Sequence, residues 1–316
     1  MNCLCCGKPI SDNAADIDWH KACIERFFGT KEIPELDISN TTFELLAIEN
    51  TNKGYTVPGV QKKLSLHLMS DEKPRLTLVD YPNGYILKLQ EKEYPALPES
   101  EQLVMCMAEI CGIQTVPHAL VKIENGFVYI TKRVDRIIKK NTPVGMLAME
   151  DFCQLDLRLT QDKYRGSYER CAKIIQQYSS RQGFDLSELY LRLAFSFLVG
   201  NSDMHLKNFS LIETSEGSSQ YILSPAYDLL PVNVIMPADK EEFALTMNGK
   251  KKNLHRIDFL VFAETSGLSR KSAEKMLDRV ISMQPHFLEM VAASYLPDKL
   301  KKDLSGLLIS RTDAIQ

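Results

Sequence analysis

Alternation of apolar and polar positions marks the part of the chain after residue 40 as rich in strands. Leu64 to Met69 alternates with a period of two, Arg75 to Val79 follows, and an Asn83-Gly84 turn precedes the apolar run from Tyr85 to Leu89. Short alternating runs around an Asn-Gly turn are typical of paired strands, so we predict a small sheet here. Two further strands are predicted, at Ala119 to Ile123 and Phe127 to Thr131.

Helical periodicity interrupts this region once and dominates after Arg136. Between Glu99 and Cys111 apolar residues recur at the helical period, and Gly112 stands where a C-terminal cap glycine is expected. The longest apolar-periodic stretch is Leu186 to Val199, and others lie within Lys271 to Gln316. The pattern predicts an α+β protein with a small sheet-rich lobe followed by a larger helical lobe. After Arg136 only two short strands are expected, at Phe209 to Glu213 and Tyr221 to Leu223.

Composition narrows the class of protein. The 316 residues are 44% hydrophobic and 25% charged with a net charge of −3, so no overall basic field attracts nucleic acid or an anionic membrane. No apolar run reaches the roughly 18 to 20 residues of a membrane span, and no secretory signal precedes the first cysteines. We therefore expect a cytoplasmic protein with reduced thiols.

The first 30 residues hold half of the eight cysteines and are expected to form a separate appendage. Cys3-x₂-Cys6 and His20-x₂-Cys23 have the paired spacing of a closed structural zinc site, which needs four soft or borderline ligands. Cys5 is spare and is an alternative to Cys3 or Cys6. The plainer interpretation is a set of reduced thiols beside a surface histidine.

The most informative motif follows the long apolar helix, in the segment Gly200 to Phe209. Asp203 and Asn208 are five residues apart, as are the catalytic aspartate and the Mg²⁺-binding asparagine of protein-kinase-like enzymes. Asp228 comes twenty residues after Asn208, in an apolar setting suited to a second Mg²⁺ ligand. Turn formation and helix capping are the alternative roles for such residues.

Two upstream features strengthen the kinase interpretation. Lys88 lies in an otherwise apolar strand, where a kinase needs a lysine to contact the α- and β-phosphates of ATP. The segment Thr56 to Leu64 contains a glycine and basic side chains that suit a phosphate-covering loop, although it lacks the standard glycine-rich patterns. A solvent-exposed lysine on an edge strand is the alternative for Lys88.

In this order, these features resemble the HipA family of bacterial toxin kinases. The resemblance covers about residues 54 to 312 and implies a bilobal, protein-kinase-like fold. Residues 1–30 then form the cysteine-rich appendage, 40–136 the N-lobe and 137–316 the helical C-lobe. The matching segments are Val57 to Lys63, Ile86 to Leu89, Lys132 to Arg136, Glu150 to Gln154, Gly200 to Phe209 and Tyr227 to Leu230.

The resemblance also implies an ATP- and Mg²⁺-dependent serine/threonine kinase. Asp203 is then the catalytic base, His205 supports the catalytic loop, Asn208 and Asp228 bind Mg²⁺, and Lys88 contacts the phosphates. Glu101 is preferred over Glu99 as the partner of Lys88. The nucleotide is expected to contact Pro58, Gly59, Val60, Gln61, Lys62, Lys63, Lys88, Lys132, Arg133, Val134, His205, Asn208 and Asp228.

Regulation and partners are further expectations from the resemblance. Autophosphorylation at Thr56 is expected to displace the phosphate loop, because it adds close to two negative charges beside Lys88 and the ATP phosphates. The chain is similar to the short, HipT-like form, which lacks the N-terminal subdomain. We therefore expect a separate small protein supplying that subdomain, a HipB-like DNA-binding antitoxin, and DNA contact only through the antitoxin. The expected substrate is an aminoacyl-tRNA synthetase.

Two other classes of function remain open from the sequence. One is a kinase acting on a lipid or small molecule, since the spacing of Asp203, His205 and Asn208 also occurs in lipid kinases. The other is an inactive binding scaffold that carries a zinc knuckle. The presence of Lys88, Asp203, Asn208 and Asp228 argues against the scaffold.

Overall fold

The structure is a computed structural model that describes residues 1–10, 18–36, 63–69, 74–78, 84–124, 126–139 and 142–316. It divides into two compact units. The first comprises Met1–Gln102 and Val116–Met146, and the second comprises Leu103–Thr115 and Leu147–Gln316. None of the helices in the described ranges combines the length and the hydropathy of a membrane-spanning segment.

A twisted sheet is the main element of the first unit. Its strands are β1 (Glu35–Leu36), β2 (Lys63–Met69), β3 (Arg75–Leu78), β4 (Tyr85–Lys88), β5 (His118–Ile123) and β6 (Gly126–Lys132). Over the described ranges they lie in the order β1-β3-β2-β4-β6-β5, antiparallel except for β1 beside β3. Leu64, Leu87 and Ile130 are paired across three strands and buried, so their side chains form one apolar face. The strands predicted in this region are confirmed where the structure describes them.

Helix α1 (Lys21–Phe28) adds an aromatic cluster to this unit. It ends at Gly29, whose φ of 72° provides the left-handed cap that glycine adopts without strain. Its last two residues, Phe27 and Phe28, pack against Trp19 and against Tyr85 of β4. The first residues of the chain are thereby attached to the sheet.

Helix α2 (Leu97–Cys111) confirms the helix predicted from Glu99 onwards. Every apolar residue predicted on one face is buried, and Gly112 has the expected positive φ of 87°. The face comprises Leu103, Val104, Met107, Ala108 and Cys111.

The expectation of only two short strands after Arg136 is wrong. Strands β7 (Arg136–Lys139) and β8 (Thr142–Met146) form an antiparallel hairpin there. The hairpin has a register irregularity between Ile137 and Ile138, and β8 contains a proline and a glycine, which weaken strand patterns. Val144 and Met146 are 53% and 51% exposed although both are apolar, so apolar residues do not mark a buried face of this hairpin.

Helix α5 (Gln182–Val199) forms the centre of the second unit and confirms the prediction for Leu186 to Val199. It is buried on nearly every side from Leu189 onwards and packs against α4, α8 and α10. Aromatic rings of Phe197, Phe243 and Phe259 pack edge to face around it. The helices of this unit are α3 (Phe152–Leu155), α4 (Tyr168–Tyr178), α5, α6 (Val232–Ile235), α7 (Arg256–Thr265), α8 (Arg270–Ser282), α9 (Gln284–Ala293) and α10 (Asp298–Ile315).

A small antiparallel sheet carries the two predicted Mg²⁺-binding segments. Strands β10 (Ser210–Glu213) and β11 (Tyr221–Leu223) confirm the short strands predicted there, while β9 (Met149–Asp151) was not predicted. Asn208 lies immediately before this sheet and Asp228 shortly after it, so the sheet fixes the ends of both segments.

Candidate active site

Lys88, the last residue of β4, forms a buried ion pair with Glu101 of α2. Its Nζ lies 2.5 Å from Oε1 of Glu101, and the two side chains are 4% and 0% exposed. The ammonium also lies 5.2 Å from the ring centroid of Tyr129, which is opposite Lys88 on β6. Because β4 lies between β2 and β6, the alternative of an exposed edge-strand lysine does not apply.

Burying this ion pair costs hydration free energy. Each charge loses several kcal/mol of hydration when buried, and a well-packed apolar pair of similar volume stabilises a fold at least as well. Core packing alone therefore gives no reason to keep an amine here, which is consistent with a functional role for Lys88. The structure brings Lys88 to Glu101, which was preferred from the sequence over Glu99.

The segment after α5 is folded into a tight loop. Helix α5 ends at Gly200 with φ +69°, where a Cβ would lie 2.9 Å from the side chain of Leu307, so the reversal requires glycine. The side-chain amide of Asn208 donates a hydrogen bond to the backbone carbonyl of Asp203, at 2.8 Å. The hydroxyl of Tyr168 donates to the carbonyl of Met204 between them. These bonds hold Asp203 and Asn208 in one compact turn.

The carboxylate of Asp203 accepts a hydrogen bond from the hydroxyl of Tyr164, at 2.8 Å. Burial raises the pKa of Asp203, while the Tyr164 hydrogen bond and the charge of Lys163 lower it in part. Burial and the Asp203 charge raise the pKa of Tyr164, so its hydroxyl stays protonated and remains a donor. The sequence analysis did not identify this contact, because Tyr164 lies 39 residues away and has no motif of its own.

His205 is buried beside this carboxylate and neutral at pH 7. Burial, and next the positive charge of Lys163, lower its pKa to about 4. Its Nε2 lies 4.0 Å from the carboxylate of Asp203, beyond hydrogen-bond distance, and its ring packs edge to face on Tyr164. Its buried Nδ1 has no hydrogen-bond partner among the residues that the structure describes.

Asp228 belongs to the same part of the second unit. Its negative charge contributes to raising the pKa of Asp203, so the two carboxylates act on one another. Its φ of +56° is uncommon for a residue other than glycine, and such strain concentrates at functional sites. The neighbouring Tyr227 bonds to Ser210 and donates to the carbonyl of Lys207, which ties the Asp228 segment to the Asn208 turn.

The donor set of this turn fits a magnesium ion. Carboxylate and amide oxygens are the ligands that Mg²⁺ takes from proteins, and Asp228 and Asn208 supply one of each. A cation there would also offset the repulsion between Asp203 and Asp228. Asn208 and Asp228 are therefore the residues suited to hold Mg²⁺.

The predicted nucleotide contacts are only partly described. Thr56, Pro58, Gly59, Val60, Gln61 and Lys62 lie outside the described residues. Lys63 begins β2 directly opposite Lys88 in the sheet register.

Lys132, Arg133 and Val134, which are among the expected nucleotide contacts, follow one another from the last residue of β6. The ammonium of Lys132 lies over the rings of Phe27 and Tyr85, and burial lowers its pKa. The guanidinium of Arg133 forms two hydrogen bonds with the carboxylate of Asp135.

The four predicted zinc ligands are close together. The ligand atoms of Cys3, Cys6, His20 and Cys23 all lie within 4.8 Å of one another. This cluster belongs to the first unit, as do Lys88 and Glu101.

Relatives of the chain are named as kinases. A protein of Haemophilus influenzae named "Putative kinase" is 25% identical, over 92% of this chain and 90% of its own length. The "Putative kinase Y4dM" of Sinorhizobium fredii is 33% identical over 56% of this chain, and "Putative kinase Y4mE" is 26% identical over 76%. The alignments span 44% and 59% of those two longer relatives.

Solved structures confirm the predicted α+β, protein-kinase-like fold. HipA of Shewanella oneidensis, solved with HipB and operator DNA, has a TM-score of 0.70 at 18% identity, over 90% of this chain and 74% of its own. The Helicobacter pylori proinflammatory kinase CtkA has a TM-score of 0.54 at 17% identity, over 76% and 90%. The family model of the HipA-like C-terminal domain matches residues 55–287. The chain thus belongs to the family of the HipA-like C-terminal domain, which confirms the resemblance found in the sequence.

Proposed function

We propose that the chain is the kinase toxin of a toxin–antitoxin system, and that it transfers phosphate from ATP to serine or threonine of a protein. The buried pair of Lys88 and Glu101 is the observation that carries the proposal. Active protein kinases need this lysine–glutamate pair to position the ATP phosphates. The domain division expected from the sequence, with residues 40–136 as N-lobe and 137–316 as C-lobe, is part of the proposal.

Each side chain has a distinct role in this proposal. Asp203 accepts the proton of the substrate hydroxyl, and the hydroxyl of Tyr164 at 2.8 Å supports this role, because the carboxylate already accepts from an O–H donor. Asn208 and Asp228 hold Mg²⁺, and Lys88 binds the α- and β-phosphates. Bound ATP would supply the transferable phosphoryl group, and Mg²⁺ would neutralise negative charge on its phosphates. Neutral His205 packs edge to face against Tyr164 and supports the loop.

Labelled ATP distinguishes the proposed function from its alternatives. Purified chain is incubated with γ-labelled ATP and lysate, beside an Asp203→Ala variant and an Asp303→Ala control on the exposed face of α10. Beyond the background of lysate alone, we expect label in the chain itself and in one further protein band with wild type and control, and in neither with Asp203→Ala. Label in a lipid or metabolite, or none with any chain, would refute the proposal.

The proposed substrate is an aminoacyl-tRNA synthetase, whose phosphorylation stalls translation. This part rests on family membership. Phosphoproteomics after induced expression is expected to find phosphoserine or phosphothreonine on one synthetase with wild type and not with Asp203→Ala. A phosphorylated protein of another class would overturn the substrate while leaving the kinase activity in place.

Autophosphorylation at Thr56 is the proposed regulation. A phosphate adds close to two negative charges next to the ATP-binding residues, which repels the nucleotide phosphates and silences the enzyme. Mass spectrometry after incubation with ATP is expected to find the phosphate on Thr56. A phosphate at another residue and none on Thr56 would contradict this mechanism.

Two protein partners complete the proposal. Shewanella HipA has been solved with HipB and operator DNA, which supports a HipB-like antitoxin as the partner through which this chain reaches DNA. The second partner is a small protein that supplies the HipA N-terminal subdomain. Tagged chain is expected to co-purify with the products of neighbouring genes, and a complex with neither would refute this part.

A further inference from the structure

The N-terminal cysteine cluster has the dimensions of a metal site. The Nδ1 atom of His20 lies 3.4 Å from Sγ of Cys6 and 3.9 Å from Sγ of Cys23. Zinc–sulfur bonds of about 2.3 Å and zinc–nitrogen bonds of about 2.0 Å at tetrahedral angles separate S and N by about 3.6 Å and two sulfurs by about 3.8 Å. The two distances from Nδ1 of His20, 3.4 Å and 3.9 Å, lie on either side of the ideal S–N separation of about 3.6 Å. All four ligand atoms lie within 4.8 Å of one another, which allows the ideal S–S separation of about 3.8 Å.

The imidazole of His20 is oriented as a ligand. Its Nε2 lies 3.1 Å from the backbone carbonyl of Pro9. A carbonyl oxygen can only accept, so Nε2 carries the proton and the lone pair of Nδ1 faces the thiols. Metal-bound histidines typically donate their second ring N–H in this way, which fixes both the tautomer and the ring.

The backbone around the first two cysteines forms a tight knuckle. The amide of Gly7 donates to the carbonyl of Cys3 at 2.9 Å, and Gly7 has φ +68°, which suits glycine. The backbone amide of His20 donates to Sγ of Cys3, at 3.3 Å, an interaction that stabilises a thiolate. Cys5 differs from its neighbours because its Sγ is directed to the backbone carbonyl of His118, at 3.9 Å, and it is not part of the four-ligand cluster.

The knuckle (residues 1–10) is attached to the sheet and to α2 through backbone groups next to the ligands. The amide of Leu120 in β5 donates to the carbonyl of Leu4, at 2.9 Å. The side chain of Gln102 donates to the carbonyl of Cys5, at 2.8 Å, and its Oε1 lies 2.7 Å from Nδ1 of His118. Gln102 directly follows Glu101, so the knuckle contacts the turn of α2 that carries the partner of Lys88.

We propose that Cys3, Cys6, His20 and Cys23 bind one structural zinc ion, which holds the knuckle against β5 and Gln102. Four protein ligands leave no open coordination position, so the ion orders the chain and takes no part in phosphoryl transfer. Zinc binding does not depend on the proposed kinase function, and its tests need no substrate.

Metal content and ligand identity are tested on the full chain, purified under reducing conditions without chelator. We expect about one zinc per chain in wild type and in the control Cys5→Ser, and almost none in Cys6→Ser, since a closed site needs all four ligands. Co²⁺ added to metal-free wild type is expected to give the absorption of a tetrahedral thiolate site. Less than about one zinc per four wild-type chains, or zinc retained by Cys6→Ser but lost by Cys5→Ser, would overturn the assignment.

Amide exchange tests the structural role without relying on a substitution. Among the described strands, β5 pairs with β6 alone. The alternation of an antiparallel ladder directs the amides of Ala119 and Val121 towards β6, while the amide of Leu120 bonds to Leu4. Zinc removal by a chelator is expected to speed exchange at Leu120 by at least about tenfold, with Ala119 and Val121 changed much less. Unchanged exchange at Leu120 in protein shown to have lost its zinc would refute the structural role.

Discussion

Replacing Lys88 by methionine tests the energetics of the buried ion pair. Methionine keeps the volume of the side chain but leaves the carboxylate of Glu101, which is 0% exposed, without its amine. Removing one partner of a buried pair destabilises a protein by about 3–5 kcal/mol. The carboxyl of Glu101 can avoid part of this cost by binding a proton, and at pH 7 that protonation costs about 3.7 kcal/mol for a glutamate of ordinary pKa near 4.3. We therefore expect Lys88→Met to lower the free energy of unfolding by about 3–4 kcal/mol at pH 7.

The same reasoning gives a pH dependence with a definite sign. In the variant, burial raises the pKa of Glu101 in the folded state above its unfolded value, so the folded state binds the extra proton. Stability then falls as pH rises above about 4.3, and the difference from wild type is small near pH 4 and largest near pH 7. The double variant Lys88→Met/Glu101→Leu removes both charges and is expected to regain at least about 2 kcal/mol at pH 7.

Urea unfolding followed by the fluorescence of Trp19 measures these changes. Trp19 is the single tryptophan of the chain, it is 1% exposed, and it belongs to the same unit as Lys88. Lys122→Met, at an exposed position on β5, is the matched control and is expected to change stability by less than about 0.5 kcal/mol. The reasoning is refuted if Lys88→Met costs under about 1 kcal/mol at pH 7 or if the double variant is no more stable than the single one. Restored stability without restored phosphorylation in the double variant would separate the catalytic role of Lys88 from its structural one.

Three further substitutions test the second unit. Tyr164→Phe removes a hydrogen bond that lowers the pKa of Asp203, so the acidic limb of the pH–activity profile is expected to move to higher pH. If the acidic limb does not move, Asp203 is not the catalytic base. Arg192→Met leaves buried Glu188 without its ion partner and is expected to lower the free energy of unfolding in urea by about 3–5 kcal/mol. A loss below about 1 kcal/mol would contradict this expectation. Gly200→Ala introduces a Cβ at φ +69° and into a close contact, and we expect a loss of about 1–3 kcal/mol by the same measurement. An unchanged midpoint for Gly200→Ala would show that the turn tolerates a side chain.

Elements with strong periodicity were predictable from the sequence. The apolar period between Leu186 and Val199 located the central helix, and the alternation from Leu64 located β2. The hairpin after Arg136 could not be predicted, because its strands are short and irregular in register. Its apolar residues Val144 and Met146 are also exposed, so no buried face appears in the sequence pattern. Short elements of this kind depend on their pairing partner, which a local sequence window does not contain.

The candidate site shows the same division. Lys88, Asp203, Asn208 and Asp228 stand in short sequence motifs, so residue type and spacing were enough to single them out as candidates. Tyr164 lies in a connecting segment and reaches Asp203 only through the fold. Gln102 likewise contacts Cys5 from 97 positions away, a proximity that depends on how α2 packs beside the knuckle.

The knuckle also covers a sheet edge. Among the described strands β5 ends the sheet, and an uncovered edge offers its outward amides to any other extended chain. Leu4 occupies one such amide, at Leu120, so it caps the sheet as well as joining the knuckle to it. Chains shortened at the N-terminus beyond Leu4 are therefore expected to self-associate through β5, which light scattering at rising protein concentration would detect. The hydrogen bond between Leu120 and Leu4 is thus expected to keep the β5 edge from pairing with another chain.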